Sequence, residues 1–515
     1  MRIVRLTLQD FRAFPGGFEL PLKGGPNLLL HGENGAGKSS LAVALREFLS
    51  LEHPFPRPVD QFVHAFPAQP DPTTGAIPAR VPRVELHFDT ATPPEIVAWV
   101  PGQLHPLQLD DGTAAASTTQ PQRELLVGVS RQSGFFDYRA LLRTSYKQDT
   151  PDLGRQLFKL FVENLLAGFR PGGGANTLGE FWSEVRKARP STRYKREMRR
   201  ANGAANSFNL SLAPFLATLQ TEANRLLDYF PRHQMRVVRL AHAGCQYVKA
   251  TKALIGDRLE LEVSYAGLPL PKHEEFLNEA RLTAIGLSIF LAAVKLSDSN
   301  PADSAALRIL LLDDVLIGLD LSNRVPLLDL LHKEFANHQI FLFTHDVVWF
   351  DIAKAHTEEW GNWKAVSLFA VTAGVGMPEI PRLKGDMEDL VVAERHLNRD
   401  NDLRAAAVYV RAAYETRLRK LCQKCGVAVG YNPNPHDVKT EALWKGLLRR
   451  HAERKKSDHG KRLIDETLVP RISSVRSAVL NRLAHSGPPA LTEPDVRAAI
   501  QTIRDFKSMN VPFDP

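Results

Sequence analysis

Cysteine is scarce: Cys245, Cys422 and Cys425 are the only ones in 515 residues. That scarcity excludes a disulfide-stapled scaffold. Cys422 and Cys425 form one C-x-x-C pair with no second pair to complete four zinc ligands, so a packing role at a helix end is expected there. Long apolar runs are missing as well. The most apolar helical stretch, AIGLSIFLAAV at 284–294, falls short of the roughly 18–20 residues that cross a bilayer and reads as a buried helix. No membrane partner is expected, no secretory leader is recognised, and the expected location is the cytoplasm. Apolar heptads are not sustained over several turns, which excludes long coiled-coil arms. Nor does one charge dominate: 65 basic residues against 57 acidic ones leave +8, so an anionic partner must be met by a local cluster.

A content of 44% hydrophobic and 24% charged residues describes an ordinary globular chain, and 515 residues suffice for about three domain-sized units. The opening MRIVRLTLQDFRAF alternates apolar and polar residues, and ELPL and PNLLLHG continue as short strands. Residues 51–125 are rich in Pro, Asp and Thr around one clear strand, RVELHFD at 82–88, and predict a small antiparallel arm. Segments 153–166, 175–200 and 212–229 read as helices separated by RPGGGAN and NGAANSFN loops, a helical insertion. Paired strands MRVVRLAHAG and LELEVSYAG follow, then a helix from about 279, the strand RILLLDD, a helix near 322–336 and the strand QIFLFTHD. From about 384 the pattern is mainly helical.

Chemistry concentrates at three strand ends. Gly32 to Ser39 reads GENGAGKS, the G-x-x-x-x-G-K-[ST] phosphate loop, placed between a predicted strand and a predicted helix as its mechanism requires. Gly32, Gly35 and Gly37 let backbone amides close around phosphates, with Asn34 and Ser40 in the same turn. Lys38 reaches the β and γ phosphates, and Ser39 holds magnesium. In ILLLDD, Asp313 ends a buried strand where it meets the same ion, and Asp314 is the candidate general base. A strand-ending turn is the alternative for that pair taken alone. FLFTHD places His345 at a further strand end, suited to the γ phosphate or the attacking water, with capping as the alternative. The catalytic candidates are therefore Lys38, Asp314 and His345, with ATP and Mg2+ as the expected ligands.

The segments DFRAF at 10–14, HGENGAGKSSL at 31–41, FLNEARL at 276–282, ILLLDDVLIGLD at 309–320 and FLFTHD at 341–346 stand in an order that resembles the ATP-binding cassette ATPases of the RecF, SMC and DNA-repair type. The resemblance covers about 1–170 and 235–350. It implies an α/β P-loop NTPase with an ABC-type head, an antiparallel β arm and a helical insertion, plus a mainly α-helical C-terminal domain. The implied divisions are 1–170 and 236–375 for the two parts of the head, 171–235 for the insertion and 376–515 for the helical domain. It further implies a homodimer sandwiching ATP between heads, in which Asn278, Glu279 and Ala280 of one head face the phosphate loop of the other. These positions depart from the Ser and Gly usual in that signature, and Asp314 stands where Glu is common. By the same correspondence Arg12 approaches phosphate, Gln132 joins the magnesium site to the helical lobe, and Asp320 belongs to a loop that links the paired sites.

Residues 186–200, RKARPSTRYKREMRR, hold eight basic residues against one acidic residue: Arg186, Lys187, Arg189, Arg193, Lys195, Arg196, Arg199 and Arg200. With Tyr194 and Trp182 as stacking faces this is the expected nucleic-acid contact, a solvated helix face being the plain alternative. The leading functional reading is ATP binding and hydrolysis coupled to head dimerisation and to engagement of DNA or a partner protein in genome maintenance. Two alternatives stand beside it: the ATPase sensor of a prokaryotic anti-phage system that controls an effector protein, and an ATP-binding scaffold with little turnover.

Overall fold

The alternating N-terminus forms β1 (Ile3–Phe11), which pairs antiparallel with β2 (Phe14–Pro21) through a tight turn. The structure is a computed structural model and describes residues 1–49, 59–66, 68, 77–90, 95–102, 126, 129, 133–137, 153–165, 171, 176–191, 193–230, 234–297, 307–372, 379–384, 389–398, 401–427, 439–457, 463–480 and 491–509. On its other edge β1 pairs with β4 (Arg83–Phe88), which pairs with β5 (Glu95–Trp99), giving a four-stranded antiparallel sheet. Leu6 and Leu8 of β1 are buried with Val84 and Leu86 of β4, as strand alternation dictates, and Ile3 is buried as well, across a register shift between Ile3 and Arg5.

The second sheet runs in the order β15 (Glu379–Lys384), β14 (Trp363–Thr372), β3 (Asn27–Gly32), β13 (His338–Thr344), β12 (Arg308–Asp313) and β6 (Ser133–Asp137). All neighbours are parallel except β15, which runs antiparallel to β14. NLLLHG, RILLLD and HQIFLFT are near-continuously buried, the signature of parallel strands covered on both faces. Parallel pairing brings their carboxyl ends to one edge of the sheet, where ligands of α/β folds bind. Helix α1 (Lys38–Leu49) leaves β3 directly, burying Leu41, Ala44, Leu45 and Phe48 against the same core as the antiparallel sheet.

A second core lies under the helical lobe. The short helix α2 (Leu153–Phe158), α3 (Leu178–Lys187) and α4 (Lys195–Leu227) pack with β7 (Met235–His242), β10 (Leu259–Tyr265) and β11 (Leu268–Leu270), a three-stranded antiparallel sheet. Thr177 starts α3 through a reciprocal capping box with Glu180. A two-stranded hairpin, β8 (Gln246–Tyr247) and β9 (Leu254–Ile255), lies against α4. Beyond it come the single turn α5 (His273–Phe276) and the buried α6 (Glu279–Ser297), with α7 (Leu321–Glu334) after β12 and α8 (Val347–Glu358) after β13.

Two helical expectations need correction. The stretch 175–200 is not one helix: it breaks between Lys187 and Lys195, around the buried Pro190. Conversely NGAANSFN is not a loop but the middle of the 33-residue α4. Ala201, Ala205, Phe208 and Leu212 bury one face at helical spacing, while Asn202 and Asn209 turn outward and grip the hairpin segment. Asn209 both accepts from Cys245 N at 2.9 Å and donates to Cys245 O at 3.0 Å. Tertiary hydrogen bonding thus overrides the turn preference of these residues.

The chain divides into two compact units, Met1–Lys384 and Gly385–Pro515. The boundary expected at 376 shifts because β15 completes the central sheet. The second unit consists of α9 (Asp389–Asn398), α10 (Leu403–Lys424), α11 (Thr440–Ser457), α12 (Leu468–Val475) and α13 (Glu493–Ser508) around its own core. There Arg476 is buried, ion-paired to Glu441, and its guanidinium faces Trp444 at 5.7 Å. The Cys422 thiol points at Leu443 O, 3.5 Å away. Among the described residues no helix is long and apolar enough to cross a membrane.

Candidate nucleotide-binding site

The phosphate loop folds as its glycines demand. Gly35 and Gly37 take φ values of +89° and +99°, a region that favours glycine, and a Cβ on Gly37 would lie 2.8 Å from Pro381 Cγ. The turn closes through Ala36 N to Glu33 O at 3.1 Å and Ser40 N to Gly37 O at 3.0 Å. Lys38 is 4% exposed. Its Nζ donates to Gly32 O at 2.7 Å and Glu33 O at 3.3 Å, and lies 3.7 Å from Asp314 Oδ2. The ammonium is therefore held inside its own loop by exchangeable oxygens.

Asp313, at the carboxyl end of β12, is 7% exposed, and its Oδ1 has no hydrogen-bond partner. Burial pushes its pKa up to about 6, reinforced by Asp314 and Asp137 and opposed by Lys38 and by a hydrogen bond from Ser39. A buried, incompletely satisfied carboxylate touching the phosphate-loop serine fits a divalent cation. Among the described residues no group of three His, Cys, Asp or Glu side chains stands ready to hold a metal alone. This donor set suits magnesium, which takes one or two carboxylates together with substrate phosphates and water.

Asp314 adopts a left-handed φ of +54°, pinned by Asp314 N donating to Phe343 O at 3.1 Å. That strained turn aims its carboxylate back across the sheet edge, where Oδ1 meets His345 Nδ1 at 3.0 Å. His345 is positioned by the next residue: Asp346 caps α8 by accepting from Trp349 N at 3.0 Å and pairs with Arg324 of α7 at 2.7 Å. These contacts, the backbone hydrogen bond from Trp349 foremost, hold the Asp346 carboxyl below its ordinary pKa.

Arg12, Asn34, Ser39, Asp313, Asp314 and His345 line one cavity of about 400 Å³. Ala42, Val43 and Arg46 extend its wall along α1, and Phe135, Phe136 and Asp137 along β6. Asp137 and Arg46, ion-paired at 3.3 Å, are the charged lining residues that the sequence reading missed. Asp137 ends β6 directly beside Asp313 in parallel register. The available signal was SGFFD, a short apolar run ending in an acid, as ILLLDD is. Gln132 lies outside the described residues; among the described ones, the end of β6 brings Asp137 to the site.

Other candidates stand apart from the cavity. Asn278 and Glu279 are exposed, and Asn278 Oδ1 accepts from Arg281 N at 3.1 Å as a cap of α6. Glu279 and Ala280 begin that helix, with Glu279 packed against Gly318, where a Cβ would meet Glu279 Cγ at 3.1 Å and collide with Thr283 Oγ1. Asp320 precedes α7, its carboxylate accepting from Ser322 Oγ at 2.9 Å and Asn323 Nδ2 at 2.6 Å. All eight basic residues of 186–200 are exposed. Trp182 is not a stacking face: it is 7% exposed, packs on Phe158 and Phe208, and donates Nε1 to Glu163 Oε1 at 3.1 Å.

The two sheets, the glycine loop between β3 and α1 and the helical lobe make up a mixed α/β head-like unit, and a separate, mainly helical region follows. No protein-family model matches the chain, and no curated protein matches it. Among solved structures it is similar to an SMC head bound to the C-terminal winged-helix domain of ScpA, at 12% identity over 75% of this chain and 98% of that one, with a TM-score of 0.40. It is similar also to the recombination mediator RecF with ATP, at 12% identity over 75% and 98% of the two chains, with a TM-score of 0.45. An SMC head with an extended coiled coil from Pyrococcus furiosus matches at 12% identity over 77% and 100%, with a TM-score of 0.40.

Proposed function

We propose that this chain binds and hydrolyses ATP with magnesium, and that nucleotide drives two heads together and so controls engagement of DNA or a partner protein. The observation that carries this reading is the meeting of Ser39, Asp313, Asp314 and His345, from three strand ends, around one cavity, with the buried Lys38 ammonium 3.7 Å from Asp314. Arriving phosphates draw Lys38 away from the Gly32 and Glu33 carbonyls and from Asp314, while the loop amides bind phosphate oxygens. Ser39 and Asp313 hold the magnesium ion, which when bound neutralises charge developing on the phosphates. Asp314, once Lys38 has moved, accepts a proton from the attacking water, and His345 orients its carboxylate.

Ile317, Leu321, Val347 and Val348 are 40–66% exposed in the loops and helix starts that carry Asp314, Asp320 and His345. Such an apolar rim suits closure against a second head. A low-turnover scaffold is the second reading, favoured by Asp314: its side chain is short, its backbone is left-handed, and both Lys38 and His345 engage it. Phosphate release, measured with and without single-stranded DNA, duplex DNA and RNA alongside oligomer mass, separates the two. ATPase function predicts magnesium-dependent release that Lys38→Ala lowers at least about 100-fold; ATP binding without release supports the scaffold, and no binding at all defeats both.

A further inference from the structure

Of the eight cations of 186–200, Lys187 lies 3.9 Å from Glu184 Oε1 and the other seven are not neutralised by the fold. Among the described residues Arg186, Arg189, Arg193, Lys195, Arg196, Arg199 and Arg200 form no ion pair, whereas Arg225, Arg236 and Arg239 of the same unit pair with Glu334, Asp228 and Glu262. The acid inside the stretch, Glu197, is turned back to accept from Ser191 N and Ser191 Oγ, each at 3.0 Å. Lys195, Arg196, Arg199 and Arg200 occupy the first two turns of α4, where the helix dipole disfavours cations. The arrangement costs stability and leaves a positive field for an external polyanion.

The β8–β9 hairpin adds to that field from elsewhere in the chain. It is docked by Tyr247, whose OH donates to Val185 O at 2.9 Å and whose N donates to Asn202 Oδ1 at 2.7 Å. Lys252 Nζ donates to Ser191 O at 2.7 Å, inside the basic stretch. Lys252 also keeps a side chain at φ +56°, where glycine is the unstrained choice. Lys249, in the same turn, is exposed and forms no ion pair among the described residues. Between Arg193 and Lys195, Tyr194 is 74% exposed, an aromatic face with a cation on either side.

We propose that the hairpin turn and the start of α4 form one composite surface for single-stranded nucleic acid, in which Lys249 and Lys252 extend the phosphate track and Tyr194 stacks on an unpaired base. Bases in a duplex are already stacked, so an exposed ring beside a phosphate track is used only by a single strand. The proposal rests on the reading of 186–200 as a nucleic-acid contact.

The test is fluorescence anisotropy of the full chain with labelled oligothymidylate and with a duplex of equal length, over a series of salt concentrations. The single strand is expected to bind more tightly. Tyr194→Ala should weaken it about 5- to 150-fold, leave duplex binding unchanged, and be rescued by Tyr194→Phe. Lys249→Ala should reduce the slope of log affinity against log salt by about 0.7 on the single strand. The charge-matched Lys23→Ala control, exposed between β2 and β3, should leave that slope alone. Equal or tighter duplex binding, or a neutral Tyr194→Ala, overturns the single-strand assignment. A neutral Lys249→Ala, with Arg196→Ala and Arg200→Ala weakening binding, overturns the composite surface but spares the basic stretch. Failure of the unmodified chain to bind any nucleic acid at low salt defeats the underlying reading itself.

Discussion

Asp313 is where folding and ligand binding oppose each other. Its buried carboxylate has an unpartnered oxygen and stands beside Asp314 and Asp137, so it destabilises the ligand-free fold and gains most from a divalent cation. Asp313→Asn is expected to stabilise the ligand-free protein by about 1–3 kcal/mol while abolishing the extra thermal stability conferred by ATP with magnesium. Thermal unfolding with and without both ligands reads each effect. His242 gives the pH dependence of the lobe. Its ring lies 5.5 Å from Phe158 and 5.6 Å from Phe208, and burial pushes its pKa down to about 4. Because the unfolded chain takes up this proton near the ordinary value of about 6.5, stability is full above that pH and falls as pH drops toward 4. The loss is at most about 3 kcal/mol, and His242→Gln should flatten that part of a stability-against-pH curve.

At the scale of elements, α4 joins the basic surface to the core of the head. In its first half Asn202 and Asn209 hold the hairpin segment, and near its end Arg225 enters a network with Glu222, Glu334 and Lys295, the last two on α7 and α6. Those helices begin near Asp320 and Asn278, so the segment at Asn278 and the loop at Asp320 both lead into helices tied to α4. Asn209→Ala leaves the Cys245 amide and carbonyl without their partners and should cost about 1–3 kcal/mol. The midpoint of urea unfolding measures it, and limited proteolysis is expected to cut first in the released hairpin. The phosphate loop was legible because strand, glycines, Lys38 and helix are contiguous and each requirement is local. The continuity of α4 was not, since Asn202, Gly203 and Asn209 carry turn preferences that only the facing strands outweigh.

For the whole molecule, the exposed apolar residues in the segments that carry Asp314, Asp320 and His345 make association testable apart from nucleotide binding. Val348→Asp, at a position 66% exposed, should abolish nucleotide-dependent doubling of mass in light scattering while changing the nucleotide affinity of the monomer less than about twofold. An unchanged dimer would remove these residues from the interface. The units Met1–Lys384 and Gly385–Pro515 have separate cores, and residues 385–515 expressed alone are expected to unfold cooperatively as a helical domain.

Sequence alone determined the site's contiguous chemistry: the phosphate loop, two strand-ending acids, a strand-ending histidine and the run of cations, each expressed within a few residues. Periodicity also determined the buried parallel strands and the helical end of the chain. Only the tertiary structure decided that Asp137 stands beside Asp313, that Trp182 is core, that β15 belongs to the head and that the β8–β9 hairpin joins the basic stretch. Each of these depends on contacts between residues far apart in the chain, where burial and hydrogen-bond satisfaction outweigh local preference.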